Sequence, residues 1–292
     1  MAADTNHAKL VERLGDQHEK RLAEALAVLE ERIVSLATEA PLKDGKLFDL
    51  EWALAVRTSI SRAMREEFLQ VASDNVREYD QISDSVVAML GKYSKFIEFD
   101  PEVIAALKRQ SFQGFEDIAS TFLNDLATEV YQNTLTGRPV ADSIKTLRQK
   151  INGVYAQSDL VEVQRLVDIA QGGGQGADEA IKELHSIYAA DRLGNNMRRY
   201  ATQMIHDSMM QFDASINVKA GKETGATEWK YYGSVIRDSR EFCAKHAGKV
   251  YTEDQISRIW SGSWAGKAPG DPFIVRGGYN CRHHWRPYYS ED

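Results

Sequence analysis

Two stretches decide the fold of the C-terminal part of the chain: DSREFCAKHAGKVY (residues 238–251) and RGGYNCRHHWRP (residues 276–287). They contain both cysteines of the protein, Cys243 and Cys281, and three of its seven histidines. The pattern is C-x-x-H and then, after a long gap, C-x-H. Two separated pairs of sulfur and nitrogen ligands are typical of small tetrahedral zinc sites. The sequence therefore predicts one structural zinc site.

The predicted ligands are Cys243, His246, Cys281 and His283, with His284 as the alternate second histidine. Two other interpretations of the cysteines stay open at this point. They could form a disulfide, or they could be unlinked thiols, since free cysteine is among the most buried residue types. A disulfide needs an oxidising compartment, and nothing in the sequence indicates secretion. The ligand pattern leads us to expect the metal site.

The residues around these ligands predict a small α+β domain. The aromatic and alternating segment 228–232 is typical of a strand. Asp238 can cap a short helix at 239–246, which Gly248 terminates and on which Cys243 and His246 lie three residues apart on one face. A tight turn at 277–278 can bring Cys281 back beneath this helix. The remaining predicted elements are strands at 249–252 and 273–276 and a short helix at 253–260.

The rest of the chain predicts long helices. Apolar residues at positions 22, 26, 29, 33 and 36 follow a heptad spacing. This pattern covers only about two heptads, so packing within the chain is favoured over a self-associating coiled coil, and an oligomer is the alternative. Asp49 and Asp100-Pro101 are helix-start signals. The predicted helices are 7–39, 49–76, 82–90, 100–133, 140–151, 159–170, 177–190 and 195–220.

These patterns define the expected architecture. We predict a mainly α protein: a long-helix N-terminal body with a small, zinc-stapled α+β C-terminal domain. The expected regions are a helical N-terminal region (1–124), a helical middle region (125–225) and a Cys/His domain (226–292). A glycine-rich run at 171–176 predicts a flexible linker within the middle region. It is not a phosphate-binding loop, because no G-K-[ST] follows it.

Charge and hydropathy narrow the class of protein. The net charge is −7, which argues against a protein built mainly to coat nucleic acid. Only the segment 228–292 is slightly basic, with ten Lys and Arg against eight Asp and Glu. No apolar run approaches the roughly 20 residues of a membrane helix, and the first residues lack the apolar segment of a signal peptide. We expect a protein kept in a cytoplasm or packed into a particle assembled there, without membrane contact.

The C-terminal motif also resembles a known family. The residues that carry the resemblance are Asp238, Arg240, Cys243, His246, Gly248, Lys249 and Tyr251, and then Pro269, Gly270, Asn280, Cys281, Arg282 and His283. This spacing is similar to the C-terminal domain of the Mu F-like minor head proteins of tailed phages. Members often show D-x-R-x-x-C-x-x-C, then G-K, a proline-rich stretch and C-R-C. Here histidine replaces the second cysteine of each pair, which keeps a zinc-competent ligand there.

The resemblance covers roughly residues 125–290 and is loose outside the C-terminal motif. The turn at 136–139 and the helix containing residues 198–202 are similar to the middle part of the family. The segment 277–279 departs from the proline and histidine that usually precede the C-R-C motif. The resemblance implies a virion protein in the phage head. Such a protein is associated with the portal or other head proteins, is made in the host cytoplasm, and acts in head assembly and in DNA packaging or ejection.

Two alternatives come from other functional classes. A metal-dependent nuclease or toxin-like effector could use His284 beside the acidic and basic residues near the site. Four closed ligands argue against it because catalytic zinc keeps an open position, so we expect no enzyme. A DNA-binding module is the second alternative, since cations interleaved with aromatic residues can bind strands. The candidate DNA contacts are Lys245, Lys267, Arg276 and Arg286.

Overall fold

The computed structural model of the chain describes residues 2–47, 49–91, 93, 99–153, 165–166, 168–169, 176, 179–180, 183–184, 196–237, 239–279 and 281–289. It confirms the predicted class, with long N-terminal helices and one small antiparallel sheet near the C-terminus. Among these residues, no helix is both long enough and apolar enough to cross a bilayer. The helices are α1 (Ala2–Thr38), α2 (Leu50–Ala63), a π-helical segment (Met64–Leu69), α3 (Gln70–Arg77), α4 (Asp80–Leu90), α5 (Pro101–Thr136), α6 (Val140–Asn152), α7 (Met197–Glu223), α8 (Glu241–His246), α9 (Glu253–Trp260) and α10 (Pro272–Val275). The strands are β1 (Leu42–Lys43), β2 (Lys46–Leu47), β3 (Glu228–Tyr232), β4 (Val250–Thr252) and β5 (His284–Tyr288).

The predicted helix starts are confirmed by their caps. The Asp49 carboxylate accepts a hydrogen bond of 3.0 Å from the Trp52 amide at the start of α2. The Asp100 carboxylate accepts one of 2.8 Å from the Glu102 amide at the start of α5. Short side chains that satisfy the first amides explain why both helices begin where the sequence indicates.

One predicted element is wrong. Residues 273–276 were expected to form a strand, but Pro272–Val275 form the short helix α10. Asp271 caps this helix by accepting from the Phe273 amide at 2.8 Å, and Pro272 occupies the first turn. An Asp-Pro start therefore outweighs the β propensity of the apolar residues after it. The predicted helices 159–170 and 177–190 and the linker 171–176 lie mostly outside the described residues.

The described chain divides into two compact units. The second unit comprises Glu19–Ala72 and Phe115–Thr202. In it the heptad residues Leu22, Leu26, Leu29 and Ile33 are at most 1% exposed, so this face of α1 already packs within the chain. Arg32 binds Glu66 and Glu67 at 2.8 and 2.6 Å, and the Asn152 amide donates to Glu30 at 2.6 Å.

The first unit comprises Met1–His18, Ser73–Gly114 and Gln203–Asp292. Its helical part contains a buried hydrogen-bonded chain. His7 Nε2 lies 2.8 Å from Asp213 Oδ1, His7 Nδ1 lies 3.0 Å from Ser85 Oγ, and the Asn217 amide donates to Asp213 at 2.7 Å. His7, Asp213 and Asn217 are all 0% exposed. The division into three sequence regions at about 124 and 225 stays a prediction.

The Asp213 carboxylate gives a testable acid dependence. Burial opposes its ionisation, but the charge and hydrogen bond of His7, together with the charges of His284 and Arg276, outweigh burial, so the pKa of Asp213 lies below its ordinary value. Because the pKa of Asp213 is lower in the folded state than in the unfolded state, where it is about 4, the ionised carboxylate stabilises the fold at pH values above about 4. This stabilisation is lost as the pH falls through the folded-state pKa. We expect Asp213→Asn to cost about 3 kcal/mol at pH 7. The variant should also lose less stability than the wild type as the pH falls below about 4.

Urea unfolding at a series of pH values measures both effects. Asp84→Asn is a matched control, because Asp84 is an exposed aspartate on α4 of the same unit. An Asp213→Asn curve parallel to the wild-type curve at every pH would show that this carboxylate contributes no pH-dependent stability.

The C-terminal part of the first unit is built around a three-stranded sheet. β3 is central in the order β4-β3-β5, and both pairings are antiparallel. Trp229 and Tyr231 on β3 and Trp285 on β5 are 0% exposed, and Tyr231 pairs directly with Trp285. Because side chains alternate along strands, these rings share the face that packs against α8, α9 and α10. The core on this face comprises Trp229, Tyr231, Phe242, Cys243, Ile256, Phe273, Cys281 and Trp285.

Candidate metal centre

Three buried side chains with metal-binding atoms converge in this core. Cys243 lies in α8, and Cys281 and His283 lie on the segment that leads into β5. Their candidate ligand atoms all lie within 4.8 Å of one another, and the residues are 2%, 3% and 6% exposed. The Sγ atoms of Cys243 and Cys281 are 3.7 Å apart, and Cys281 Sγ is 3.8 Å from His283 Nδ1. This group could hold a metal ion.

The measured spacing fits a tetrahedral ion. With bonds of about 2.3 Å to sulfur and about 2.0 Å to nitrogen, tetrahedral angles place two sulfurs about 3.8 Å apart and a sulfur and a nitrogen about 3.5 Å apart. The two observed separations agree with these values within about 0.3 Å. Both cysteines are free thiols in this structure, so the disulfide interpretation is not the arrangement observed.

The pKa values of the two thiols are shifted in opposite directions, because each sulfur interacts with the other. The pKa of Cys281 is lowered because its thiolate accepts from Cys243, with His283, Tyr231 and Arg276 also favouring the charge. The pKa of Cys243 is raised, first by its hydrogen bond to Cys281 and then by burial. A metal binds cysteine as thiolate, so ion binding would release protons from this group.

Gly277 forms one wall of the group. A Cβ atom at this position would lie 2.5 Å from Cys243 Sγ, 2.9 Å from Cys281 Sγ and 2.9 Å from the Tyr231 hydroxyl. Only glycine fits there without displacing these atoms. The Trp264 indole N–H donates to the Gly277 carbonyl at 2.9 Å, which fixes the backbone beside the sulfurs.

His246, the fourth predicted ligand, is held elsewhere. Its Nδ1 lies 2.7 Å from the Tyr251 hydroxyl, and its ring packs on Phe242 with centroids 4.6 Å apart. The pKa of His246 is lowered, chiefly by burial and also by Lys245 and Lys249. His246 lies on the same face of α8 as Cys243, but its ring is not part of the group, because it is hydrogen-bonded to Tyr251 on β4.

His284, the alternate ligand, faces away from the sulfurs. It pairs with Tyr232 across the sheet, and the two rings stack with centroids 6.2 Å apart. Strand alternation puts His283 and Trp285 on the core side and His284 on the other. Both ring nitrogens of His284 are buried and have no hydrogen-bond partner among the described residues. Burial lowers the pKa of His284 to about 4. Of the two histidines, the structure therefore places His283 in the group.

The other motif residues shape the backbone around the group. Gly248 has a φ of +80° just past α8, and its amide donates to the Tyr231 carbonyl at 2.7 Å. The Lys249 carbonyl accepts from the Tyr231 amide at 3.0 Å, and the Arg240 guanidinium donates to the Tyr279 carbonyl. Arg282 is exposed, and Asp238 lies outside the described residues.

Three of the four residues predicted to contact DNA are buried or make contacts within the fold. Arg276 and Arg286 are 1% and 3% exposed, which is too buried to reach a phosphate. The Lys267 ammonium donates to the Trp260 carbonyl at 2.6 Å and to the Gly262 carbonyl at 2.8 Å, and it lies about 5 Å from two indole rings. Lys245 is exposed. Arg276 and Arg286 thus occupy buried structural positions, and DNA contact by Lys245 and Lys267 stays a prediction.

Searches against family models, curated proteins and solved structures each find no match to this chain.

The sequence did not predict two residues that the structure brings to the group, Tyr231 and Gly277. Tyr231 is part of an aromatic strand pattern that indicates packing alone, although its hydroxyl lies 3.6 Å from each sulfur. Gly277 belongs to a Gly-Gly pair that was interpreted only as a turn. A glycine four residues before a candidate ligand was the one available signal, and by itself it does not indicate a close backbone approach.

Proposed function

We propose that this chain is a structural head protein of a tailed phage, similar to the Mu F-like minor head proteins, whose C-terminal domain is stapled by zinc. The observation that carries the proposal is the convergence of Cys243, Cys281 and His283. These residues belong to the motif on which the family resemblance depends. The resemblance thus rests on residues that share one buried site in the fold.

Zinc is the ion that this ligand set favours. Two thiolates and an imidazole are soft or borderline ligands, whereas magnesium and calcium prefer oxygen. Zinc has no redox chemistry and is commonly held by Cys and His in structural sites. A domain of about 65 residues gains much of its stability from such a staple, because its own apolar core is small.

The surroundings of the group favour a staple over catalysis. All three ligands are nearly inaccessible to solvent. The cavity lined by Arg276, Gly278 and Tyr279, next to Gly277, has a volume of about 130 Å³. Substrate pockets are usually about 300 Å³ or larger. We therefore propose a non-enzymatic role, in which the domain and the long helices contact portal or other head proteins.

A particle-assembly experiment tests the head role. If portal, scaffold and major capsid genes are found in the neighbourhood of this gene, the full chain would be co-expressed with their products, and the procapsids separated on a density gradient. We expect the chain to co-sediment with procapsids in a few copies per particle. A chain that stays with free protein at the top of the gradient would contradict the role. Cys243→Ser/Cys281→Ser in the same assay measures how far incorporation depends on the site.

A further inference from the structure

A fourth buried polar atom adjoins the Cys–His group. The Tyr231 hydroxyl oxygen lies 3.6 Å from Cys243 Sγ and 3.6 Å from Cys281 Sγ. A metal–oxygen bond of about 2.0 Å at a tetrahedral ion places the oxygen about 3.5 Å from each sulfur. The hydroxyl therefore lies at the separation from both sulfurs that a ligand would have.

We propose that the Tyr231 oxygen is the fourth ligand, so that two thiolates, one imidazole nitrogen and one phenolate oxygen surround the ion, and that the phenol proton is released to solvent when the ion binds. This inference rests on the proposed metal site and defines its chemistry. Such a set leaves no position for water or a substrate, which makes the site closed and structural.

The surroundings of Tyr231 hold its hydroxyl in this place. The residue is 0% exposed, and its ring packs between Trp285 at 4.5 Å and Phe242 at 5.7 Å. It also stacks on His283 with centroids 5.3 Å apart and an interplanar angle of 13°. Hydrogen bonds to residues 248 and 249 fix its backbone. A tyrosine this tightly packed cannot turn its hydroxyl away from the sulfurs without repacking the core.

The hydroxyl also needs a strong partner. Burying a hydroxyl without a good hydrogen bond costs about 1–3 kcal/mol, and sulfur is a weak acceptor. The hydrogen-bond partners described for this hydroxyl are the two sulfurs. An ion at the centre of the group would satisfy the phenol oxygen and both sulfurs together.

His246 is the competing fourth ligand, since the C-x-x-H spacing favours it. Its Nδ1 bond to Tyr251 at 2.7 Å and its contact with Phe242 would both have to break for that ring to enter the group by way of Nδ1. Tyr231 needs no such rearrangement. With Tyr231 as the fourth ligand, the ion has one imidazole ligand. With His246 as the fourth ligand, it has two.

X-ray absorption on the zinc-loaded full-length wild type distinguishes these sets without any substitution. We expect two sulfurs at about 2.3 Å and two lighter ligands at about 2.0 Å. The outer-shell scattering should correspond to one imidazole. A signal for two imidazoles would overturn the assignment of Tyr231 while keeping the metal site. A wild type that binds neither zinc nor cobalt would overturn both the metal site and this inference.

Matched variants give a second readout with cobalt as the probe. In Tyr231→Phe the affinity should fall by more than about tenfold. Added azide should change its visible spectrum, because a position has opened. His246→Gln should match the wild type, whose spectrum should not respond to azide. The inference would be overturned if azide changed the spectrum of cobalt-loaded His246→Gln. It would also be overturned if Tyr231→Phe bound cobalt and its spectrum did not respond to azide.

Discussion

Replacing Cys281 with serine is expected to abolish tight zinc binding and to lower the free energy of unfolding of the compact unit that contains Cys281 by about 4 kcal/mol at saturating zinc. This figure follows from linkage, because a ligand present at a thousandfold excess over its dissociation constant stabilises the folded state by about 4 kcal/mol. Serine keeps the size of the side chain but removes the thiolate. Unfolding can be followed by tryptophan fluorescence, since Trp229 and Trp285 are both 0% exposed in this core.

The wild-type protein treated with a chelator is the control for this substitution. Without metal, the wild type should be nearly as unstable as Cys281→Ser, and the chelator should have little effect on the variant. A variant as stable as the zinc-loaded wild type would show that the sulfur has no part in a stabilising metal site.

Gly277→Ala is expected to have an effect of similar size from a backbone position that contributes no ligand. The added methyl group would lie 2.5 Å from Cys243 Sγ and 2.9 Å from both Cys281 Sγ and the Tyr231 hydroxyl. Forcing an extra carbon into a packed core costs about 1–3 kcal/mol, and displacement of the ligand atoms removes the zinc contribution as well. We expect a total loss of at least about 3 kcal/mol and a metal content near zero.

Gly262→Ala is the matched glycine control. Gly262 is exposed, and a Cβ atom there would lie 3.4 Å from the Ile259 carbonyl oxygen, an ordinary contact. This variant should bind zinc and unfold like the wild type. If Gly277→Ala binds zinc as tightly as the wild type, the ion does not lie between the two sulfurs and the Tyr231 hydroxyl.

The helical body could be predicted well because its signals are local. Asp49 and Asp100 satisfy the first amides of their helices, as their sequence positions indicate. The spacing of Leu22, Leu26 and Leu29 indicated the buried face of α1, and all three are buried in the single chain. Such features depend on residues within one or two helical turns, so tertiary context changes them little.

The candidate site was less predictable because its geometry depends on long-range pairing. Spacing alone could not separate His283 from His284, since the choice follows from the register of β5 against β3. The position of His246 depends on Tyr251, which reaches it from a neighbouring strand. Tyr231 lies 50 residues from Cys281 in sequence, and no local pattern connects them.

Buried polar pairs across the helical part were also beyond the sequence. His7 and Asp213 are separated by 206 residues, yet their side chains lie 2.8 Å apart without solvent exposure. Neither residue belongs to a recognisable motif. A histidine and an aspartate on amphipathic helices are ordinarily interpreted as surface residues, and only the packing of α1 against α7 in the first unit reveals the pair.

Metal content is the decisive measurement, made by mass spectrometry on the purified wild-type chain alongside the Cys243→Ser/Cys281→Ser variant. We predict about one zinc per chain in the wild type and less than about one tenth in the variant. Zinc below about one tenth per chain in the wild type, purified without chelator and then supplied with zinc, would contradict this prediction.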